Sequence, residues 1–408
     1  MENQFYLGID LDDENAVISF FEPNMKEPET VSTVAGSEVF QIPLLLTKKK
    51  GIGQWFIGEE AKRLALLQGT TGEGKLLNRA LKREMVFIEG EKYPAEELLV
   101  LYLKKLILLA GSLGKPQTPE RLVFSLEKLS REATALFAKI APRLGVIPEK
   151  VMLLDRRECF YYFAYCQKEE LTLHDVYLFD YRKENIHCCR LEKNMRTKPV
   201  LVTLSEEVRQ MDGQDKDTSF LRILRDSFQG HIISSVYLVG DGFEGDWLKQ
   251  SVNFLCKGRR AFIGKNLYSK GACYAAAVRE HKMEWPYVYM GDNEMKVNVC
   301  LKVRNRGTLE FFTLIEAGAN WYEAAGECEV ILSGTPEIDF WLQLPNSKEA
   351  KIERITLADL PERPDRTTRL RITAKPLSDM RVQIQMKDLG FGELFKSSGK
   401  VWEYVMSL

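Results

Sequence analysis

The stretch Tyr6-Leu-Gly-Ile-Asp-Leu-Asp-Asp-Glu-Asn-Ala-Val-Ile-Ser-Phe20 decides the fold of this chain. An apolar run that ends at Asp10 is followed by a polar tip, Asp12 to Asn15, and by a second apolar run that starts at Ala16. This pattern predicts a strand, a turn and a second strand. The three carboxylates of the tip would repel a polyphosphate rather than bind it.

A second strand-turn-strand unit is predicted in the middle of the chain, over Val176–Asp180 and Asn185–Leu191. Between and after these two units, buried strands alternate with amphipathic helices as far as about residue 284. Ser130 and Thr218 stand where helix N-caps are expected. This alternation predicts an α/β layered fold.

The pattern changes after Trp285-Pro286, where apolar and polar residues begin to alternate with a period of two. Such strands, separated by glycine, proline and asparagine turns, are typical of an antiparallel β-sandwich with one face in water. The predicted domains are therefore residues 1–285 and 286–408.

Composition excludes several classes of partner. The 408 residues are 45% hydrophobic and 28% charged with a net charge of −1, so neither nucleic acid nor a membrane is expected as a partner. The eight cysteines form no CxxC pair, and they are expected to be reduced and mostly buried. No basic segment followed by an apolar one is seen at the N-terminus, and a cytoplasmic protein is expected.

The order of four further segments resembles one known family. They are Phe56-Ile-Gly-Glu-Glu-Ala-Lys-Arg63, Asn78-Arg-Ala-Leu-Lys-Arg83, Leu238-Val-Gly-Asp-Gly-Phe243 and Lys265-Asn-Leu-Tyr-Ser-Lys-Gly-Ala-Cys-Tyr-Ala-Ala-Ala277. Together with the two strand-turn-strand units, they make the chain similar to a divergent member of the DnaK-type, seventy-kilodalton heat-shock proteins. The resemblance implies an actin-like ATPase fold, built from duplicated ribonuclease-H-like halves, followed by the β-sandwich of the substrate-binding domain.

The resemblance also implies a set of site residues. Lys82 matches the lysine that assists phosphate chemistry in the family, and the catalytic glutamate falls on Arg157, or on Glu158 with a shift of one residue. ATP or ADP with magnesium would be the cofactor, and Asp10 and Asp180 would face the magnesium ion through water. The nucleotide-binding candidates are Asp10, Asp12, Asp180, Arg182, Gly240, Asp241 and Gly242.

Three departures from the family pattern predict a degenerate nucleotide site. The second phosphate loop of the family is rich in glycine, whereas here it is Asp180-Tyr-Arg-Lys-Glu184 without any. The stretch between Asp180 and Gly240 is also too short for the subdomain that clasps adenosine, so the second half is expected to be reduced. The linker Glu284-Trp-Pro-Tyr-Val288 differs from the acidic, leucine-rich linker of the family.

Each candidate also has a plainer interpretation. Asp10 and Asp180 can simply end strands at solvent, and Lys82 can be a solvated helix lysine. Gly240 and Gly242 suit any tight turn between a strand and a helix. In the β-sandwich, Trp321, Tyr322, Trp341 and also Trp402 are candidate peptide-binding anchors, because aromatic residues dominate binding hot spots, or else they fill the core.

Three functions are carried forward from the sequence. The first is a DnaK-like protein that binds proteins or peptides, with little or no ATP hydrolysis. The second is an active ATPase whose rearranged cleft uses Tyr181, Arg182, Lys183 and Lys82 on the phosphates. The third is an actin-like scaffold or assembly protein. The sequence names neither the partner nor the oligomeric state.

Overall fold

The computed structural model describes residues 5–33, 37–111, 119–345 and 349–408, and the chain divides into two units. The first unit consists of Met1–Glu192 and Leu204–Trp285, and the second of Lys193–Thr203 and Pro286–Leu408. One short segment, Lys193–Thr203, therefore belongs to the second unit although it precedes the boundary after Trp285.

The first part of the first unit contains short and long strands around one buried core. The strands are β1 (Tyr6–Leu11), β2 (Asn15–Phe21), β3 (Glu29–Thr30), β4 (Ile42–Pro43), β5 (Leu46–Lys48), β6 (Trp55–Ile57), β7 (Met85–Ile88), β8 (Glu91–Pro94), β9 (Arg121–Leu126) and β10 (Val151–Asp155). The helices are α1 (Gly58–Leu67), α2 (Leu76–Leu81), α3 (Ala95–Gly111), α4 (Arg131–Ile140) and α5 (Arg156–Tyr165).

These strands form a mixed sheet with the order β10-β9-β1-β2-β3, and β4 also pairs with β2. The quoted opening stretch is the β1–β2 hairpin, in which the two strands are antiparallel, whereas β1, β9 and β10 are parallel. Every residue of β1 is buried, because the strand is covered on both faces. A strand in that position has a nearly continuous apolar sequence. Two small antiparallel hairpins, β5–β6 and β7–β8, stand outside this sheet.

The rest of the first unit, together with Lys193–Thr203, forms a second sheet. Its elements are β11 (Asp175–Arg182), β12 (Asn185–Asn194), β13 (Val200–Gln210), α6 (Lys216–Phe228), β14 (Ile233–Val239), α7 (Gln250–Leu255), β15 (Arg260–Ile263) and α8 (Leu267–Arg279). These strands have the order β15-β14-β11-β12-β13, again with an antiparallel first hairpin and parallel strands beyond it, and a sixth strand, Tyr287–Met290, pairs with β13. The first sheet has the same order, in which β1, β2 and β3 correspond to β11, β12 and β13, and β9 and β10 correspond to β14 and β15.

Two helices pack between these sheets, and each contacts the sheet that it does not follow in the chain. α5 follows the first sheet but sets Phe160 and Phe163 against Tyr237 of β14, in the second sheet. α8 follows the second sheet but packs on β1, β2 and β9 of the first. The two helices also contact each other, so the start of α5 is held where the ends of β1 and β11 meet.

The second unit is built mainly from antiparallel strands, and Tyr287–Met290 is the exception. They are β16 (Tyr287–Met290), β17 (Asn298–Asn305), β18 (Thr308–Ile315), β19 (Gly326–Leu332), β20 (Glu337–Gln343), β21 (Ala350–Thr356), β22 (Thr368–Ser378), β23 (Arg381–Gly390) and β24 (Val401–Ser407). One sheet has the order β18-β17-β20-β21 and the other β19-β22-β23-β24, and their inward apolar side chains form a single core. β16 pairs in parallel with Val200–Thr203, the start of β13.

The described residues include no helix that is both long and apolar enough to cross a membrane.

Candidate functional site

The candidate site lies in the first unit, where β1, β11 and the first turn of α5 meet. Asp10, near the end of β1, and Asp180, near the end of β11, are each 8% exposed. Both lie beside a hairpin turn, and the two hairpins occupy the same place in sheets of the same strand order. The repeated sheet therefore brings two buried carboxylates to one place.

Arg156 supplies the first counter-charge to these carboxylates. It is the first residue of α5, directly after Asp155, whose carboxylate caps the helix by accepting from the Glu158 N–H at 2.8 Å. Its guanidinium donates from Nε to Asp10 Oδ1 at 2.8 Å and from Nη2 to Asp10 Oδ2 at 2.9 Å. The same Nη2 donates to Asp12 Oδ2 at 2.9 Å.

Arg182 supplies the second counter-charge. Its Nε donates to Asp180 Oδ1 at 2.9 Å, and its Nη1 donates to Asp12 Oδ2 at 3.1 Å. The Tyr268 hydroxyl of α8 donates to the other oxygen of Asp180 at 2.8 Å. The Ser125 hydroxyl of β9 donates to Asp10 at 3.1 Å. We call the five charged residues, Asp10, Asp12, Arg156, Asp180 and Arg182, the ion-pair network.

The pKa values follow from this burial and pairing. Burial alone would lower the pKa of Arg156, but the Asp10 and Asp12 carboxylates outweigh it and hold that pKa well above its usual value. Burial alone would raise the pKa of Asp12, and the Arg156 charge reverses the shift and lowers it. The pKa of Tyr268 is raised well above its usual value, first by burial and then by the Asp180 charge. Arg156 and Asp12 are therefore charged at neutral pH, while the Tyr268 phenol stays protonated.

The tips of the two hairpins also hold each other. The Asp12 carboxylate accepts from the Glu14 N–H at 2.9 Å and from the Asn15 N–H at 2.8 Å, so it closes its own turn. Lys183, at the other tip, has a left-handed φ of 57° and brings its Nζ within 4.0 Å of Glu14 Oε1. Since Asp12 also binds Arg182, the two turns are joined by charged contacts.

The space that remains beside the network is small. The cavity there has a volume of about 50 Å³ and is lined by Glu127, Lys128, Arg156, Arg157, Leu178, Asp180, Arg182, His187, Cys189, Glu206 and Tyr268. A drug-sized or nucleotide-sized ligand needs a pocket of roughly 300–1,000 Å³. This cavity holds a few water molecules at most.

Magnesium bound to a nucleotide does not fit these residues. The carboxylates of Asp10 and Asp180, which the resemblance assigns to the ion, are each engaged by a guanidinium. Within the described ranges, no group of three or more histidine, cysteine, aspartate or glutamate side chains is arranged to hold a metal ion.

Gly240 and Gly242 make close contacts inside the protein. A Cβ on Gly240, whose φ is +98°, would lie 2.3 Å from the Tyr181 carbonyl oxygen, and a Cβ on Gly242 would lie 2.2 Å from the Tyr181 ring. Asp241 accepts a hydrogen bond from Gln41 at 3.1 Å on the surface. The glycines thus admit Tyr181, a side chain of the β11–β12 hairpin, into the loop after β14.

The two catalytic candidates lie apart from the cavity lining. Lys82 is exposed just after α2. Glu158 is buried, and its carboxylate accepts from Arg279 Nη2 of α8 at 2.7 Å, which ties α5 to α8. Neither side chain lines the cavity.

Arg157, the other residue at the catalytic glutamate position, belongs to a cluster that sequence reasoning missed. Its Nε donates to Glu206 Oε2 at 2.7 Å, and His187 Nδ1 donates to Glu206 Oε1 at 2.6 Å. The hydrogen bond from His187 is the main reason that the pKa of Glu206 falls to about 2. The same bond raises the pKa of His187. Period-two spacing places His187 and Cys189 on the cavity face of β12, and that spacing was the available signal.

Arg156 was missed as well. The acids Asp10, Asp12 and Asp180 were expected together, and carboxylates that lie close together in a partly buried site need cations. Arg156 and Arg157 directly follow the strand end at Asp155, and arginines at a strand end were the signal for a counter-charge.

The aromatic candidates of the second unit fall into two groups. Trp321 packs partly buried against the sandwich core, with its ring 5.6 Å from the ring of Tyr322. Trp402 also packs against that core, and its Nε1 donates to the Ala358 carbonyl at 2.9 Å. Trp341 alternates with the buried residues of β20, so it lies on the outer face of its sheet, 5.3 Å from the ring of Phe311.

Two family models match the chain. The C-terminal model of a family of unknown function (DUF5716) matches residues 27–292, and a domain of unknown function (DUF8552) matches residues 294–408. No curated protein matches the chain. Since the first model covers more than half of the 408 residues, the chain belongs to the DUF5716 family of unknown function.

Proposed function

We propose that this protein is a non-hydrolysing relative of the actin-like, DnaK-type ATPases that acts by binding a protein partner. One observation carries the proposal. The two hairpins that would hold nucleotide phosphates are joined instead by the ion-pair network, through Asp12 to Arg156 and to Arg182. The repeated strand order of the two sheets supports the actin-like architecture on which the proposal depends.

Electrostatics and volume both disfavour a nucleotide at this site. The network contains three carboxylates and two guanidinium groups, so it has no surplus positive charge to offer a polyphosphate. A nucleotide that took the place of Arg156 on Asp10 would have to break the one pair of the network that is buried on both sides, and breaking a buried pair costs about 3–5 kcal/mol. The cavity of about 50 Å³ leaves no room beside the network.

Thermal unfolding with Mg-ATP and with Mg-ADP tests this half of the proposal. At about 5 mM nucleotide, a dissociation constant weaker than that concentration moves the midpoint by only about 1 °C. We expect no larger shift and no ATP turnover above background. A shift of several degrees, or turnover that is lost in Asp10→Asn but kept in the exposed Asp226→Asn control, would contradict the proposal.

The β18 strand is the site proposed for the partner. It lies at an edge of its sheet, and Thr308 to Thr313 are exposed. Natural edge strands are commonly protected by lysine or proline, yet this segment, Thr308-Leu-Glu-Phe-Phe-Thr313, has neither. Phe311 is 50% exposed and packs against Trp341, which makes an aromatic surface beside unpaired backbone groups. An extended segment of a partner can add to such an edge.

Site-specific photo-crosslinking tests the partner half. We would place p-benzoylphenylalanine at position 311, and at position 391 as the control, since Phe391 is an exposed phenylalanine of the same unit. A defined protein adduct is expected at 311 only, and Phe311→Asp should abolish co-purification of that protein. The same adducts at both positions would argue against a site on β18.

A further inference from the structure

The turn between α7 and β15, Cys256-Lys-Gly-Arg-Arg260, holds an arginine against two aromatic rings. Arg259 is partly buried, and its guanidinium carbon lies 4.6 Å from the centroid of the Phe228 ring and 5.3 Å from that of the Phe254 ring. The two rings are stacked on each other, with their centroids 5.9 Å apart. Contact with both rings holds the planar guanidinium in one place.

One edge of this guanidinium has no partner and is open to solvent. Arg259 makes no hydrogen bond and no ion pair with the residues that the structure describes. Its Nη1 is buried, whereas its Nε and Nη2 are not, so these two atoms face solvent. Nε and Nη2 of an arginine can together hold both oxygens of one carboxylate. We call these two atoms the Arg259 fork.

Other arginines of this protein use the same two atoms to bind a carboxylate. Nε and Nη2 of Arg156 bind the two oxygens of Asp10, and those of Arg354 bind Asp339 at 2.7 and 2.9 Å. Arg354 on β21 lies directly opposite Asp339 on β20, so this pair joins two neighbouring strands. The Arg259 fork stands at the start of a strand that has no neighbour on one side.

The charge around the fork is positive and is not compensated. Lys257 and Arg260 are exposed, and neither forms an ion pair within the described ranges. Burial lowers the pKa of Arg259, and no carboxylate offsets this shift. A cation that is partly withdrawn from water without a partner is unfavourable, so a carboxylate gains more at Arg259 than at a fully hydrated charge.

The strand that follows the fork is an exposed sheet edge. β15 ends the second sheet and pairs with β14 alone among the described strands. The corresponding strand of the first sheet, β10, is buried over Met152–Asp155, whereas Phe262 and Ile263 of β15 are 41% and 63% exposed. Unpaired backbone groups on such an edge can bind an extended peptide segment.

Charged side chains commonly protect a sheet edge from pairing because they stay hydrated. Arg259 differs from such a residue, since it is partly buried and held by two rings with its fork left open. Its position fits a binding role better than a protective one.

We infer that an acidic, extended segment of a protein partner pairs with the edge of β15 and places a carboxylate on the Arg259 fork. The backbone edge selects an extended segment, and the fork, with Lys257 and Arg260 beside it in the chain, selects the charge. β15 belongs to the first unit and β18 to the second, so this inference stands whether or not the β18 edge binds a partner.

Fluorescence anisotropy with labelled peptides of defined composition tests the inference on the full chain. The acidic peptide has roughly ten residues, with alternating valine and threonine in the middle and glutamates at both ends, so that either strand direction brings a carboxylate to the fork. One comparison peptide replaces every glutamate by glutamine. Another keeps the glutamates and replaces central residues by proline, which cannot pair along an edge. Saturable binding is expected for the acidic peptide only, and it should weaken as salt is raised.

Substitutions locate the binding. Arg259→Gln removes the fork and Arg259→Lys keeps the charge without it, and each should weaken binding by about tenfold or more, which corresponds to 1.4 kcal/mol. Lys257→Gln/Arg260→Gln changes only exposed residues, where folding is not at stake, and should weaken binding by a smaller factor. Arg63→Gln, at an exposed arginine of α1, should bind as the unaltered protein does.

Four results would overturn the inference. They are no saturation up to about 1 mM acidic peptide, equal binding of the glutamine peptide, equal binding of the proline peptide, and unchanged binding in both Arg259 variants. Urea denaturation of each variant shows that a loss of binding does not come from a loss of folding.

Discussion

A single side chain, Arg156, decides what the candidate site can do. The sequence predicted that Asp10, Asp12, Asp180 and Arg182 belong to one site, and the structure brings these four together. Their role in nucleotide binding stays a prediction. Arg156 was not predicted, because the resemblance assigns a role only to its neighbours Arg157 and Glu158, and because a buried arginine is rarely visible in a pattern of apolar residues.

Removing Arg156 tests how strongly the network depends on it. Arg156→Met keeps much of the side-chain volume but leaves the Asp10 carboxylate buried without its counter-charge, and it removes one of the two guanidinium partners of Asp12. The free energy of unfolding should fall by about 3–5 kcal/mol, as measured by urea denaturation.

The control for this variant is Arg354→Met, which removes an equally well-formed bidentate pair with Asp339 at the surface. Because exposed pairs are screened by solvent, its unfolding midpoint should stay close to that of the unaltered protein. A small effect in Arg156→Met would mean that water already reaches the two carboxylates.

The His187–Glu206 pair predicts a dependence of stability on pH. The raised pKa of His187 gives stability that is full below the unfolded value of about 6.5 and is lost as the pH rises through the folded value. The lowered pKa of Glu206, about 2, gives stability that is full above its unfolded value and is lost as the pH falls towards 2. The pair should therefore stabilise most between about pH 4.5 and 6.5.

Urea denaturation of His187→Gln at several pH values measures this effect. The difference in unfolding free energy from the unaltered protein should be larger at about pH 6 than at about pH 9. His174→Gln, at an exposed histidine, serves as the control and should show no such trend. A difference that grows with pH would refute the assignment.

At the scale of elements, the sequence predicted the local structure better than it predicted the tertiary contacts. The two hairpins and the buried strands were predicted from apolar runs, and Ser130 was confirmed as the cap of α4. Thr218 was wrong as a cap. Asp215 caps α6 instead and accepts from the Thr218 N–H, because a carboxylate three residues earlier reaches the same free amide.

The close fit of the loop after β14 against β11 was outside the reach of the sequence. Two glycines near a strand end suited a ligand or a tight turn equally well, and only the tertiary structure shows Tyr181 against them. The ring of Tyr181 also packs edge-on to Phe243, 5.6 Å away between centroids. A protein side chain occupies space that the sequence left open for a ligand.

A double-mutant cycle tests this packing. Gly242→Ala would bring a Cβ within 2.2 Å of the buried Tyr181 ring, and the overpacking should cost about 1–3 kcal/mol of stability. In the Tyr181→Ala background the same change should cost much less, so the coupling should exceed about 0.5 kcal/mol. Gly213→Ala, where a Cβ would meet nothing within 4 Å, should be nearly neutral. Additive effects would show that the ring is not held there.

At the scale of the whole molecule, the change of period after Trp285 marked the start of the antiparallel strands. What the sequence did not predict is that Lys193–Thr203 belongs to the second unit as well. Four residues of one strand, Val200–Thr203, carry the pairing with β16, and so short a segment has no pattern of its own to distinguish it.

The core of the sandwich predicts an independently folding fragment. All its buried apolar residues lie between Met295 and Met406, so residues 294–408 should fold alone. We expect a β-type circular dichroism spectrum and one cooperative thermal transition. As the control, Phe340→Asp, at a fully buried position of that core, should abolish the transition. A broad, non-cooperative melt of the unaltered fragment would show that it needs the rest of the chain.

The early entry of the chain into the second unit has a consequence for protein synthesis. Val200 emerges from the ribosome about 90 residues before its strand partner Tyr287, a delay of roughly 4–18 s at usual elongation rates. During that interval the edge of the nascent β13 strand faces solvent or a chaperone without its neighbour. Slowing translation between these two positions should therefore raise misfolding and chaperone occupancy, while slowing it after β16 should not.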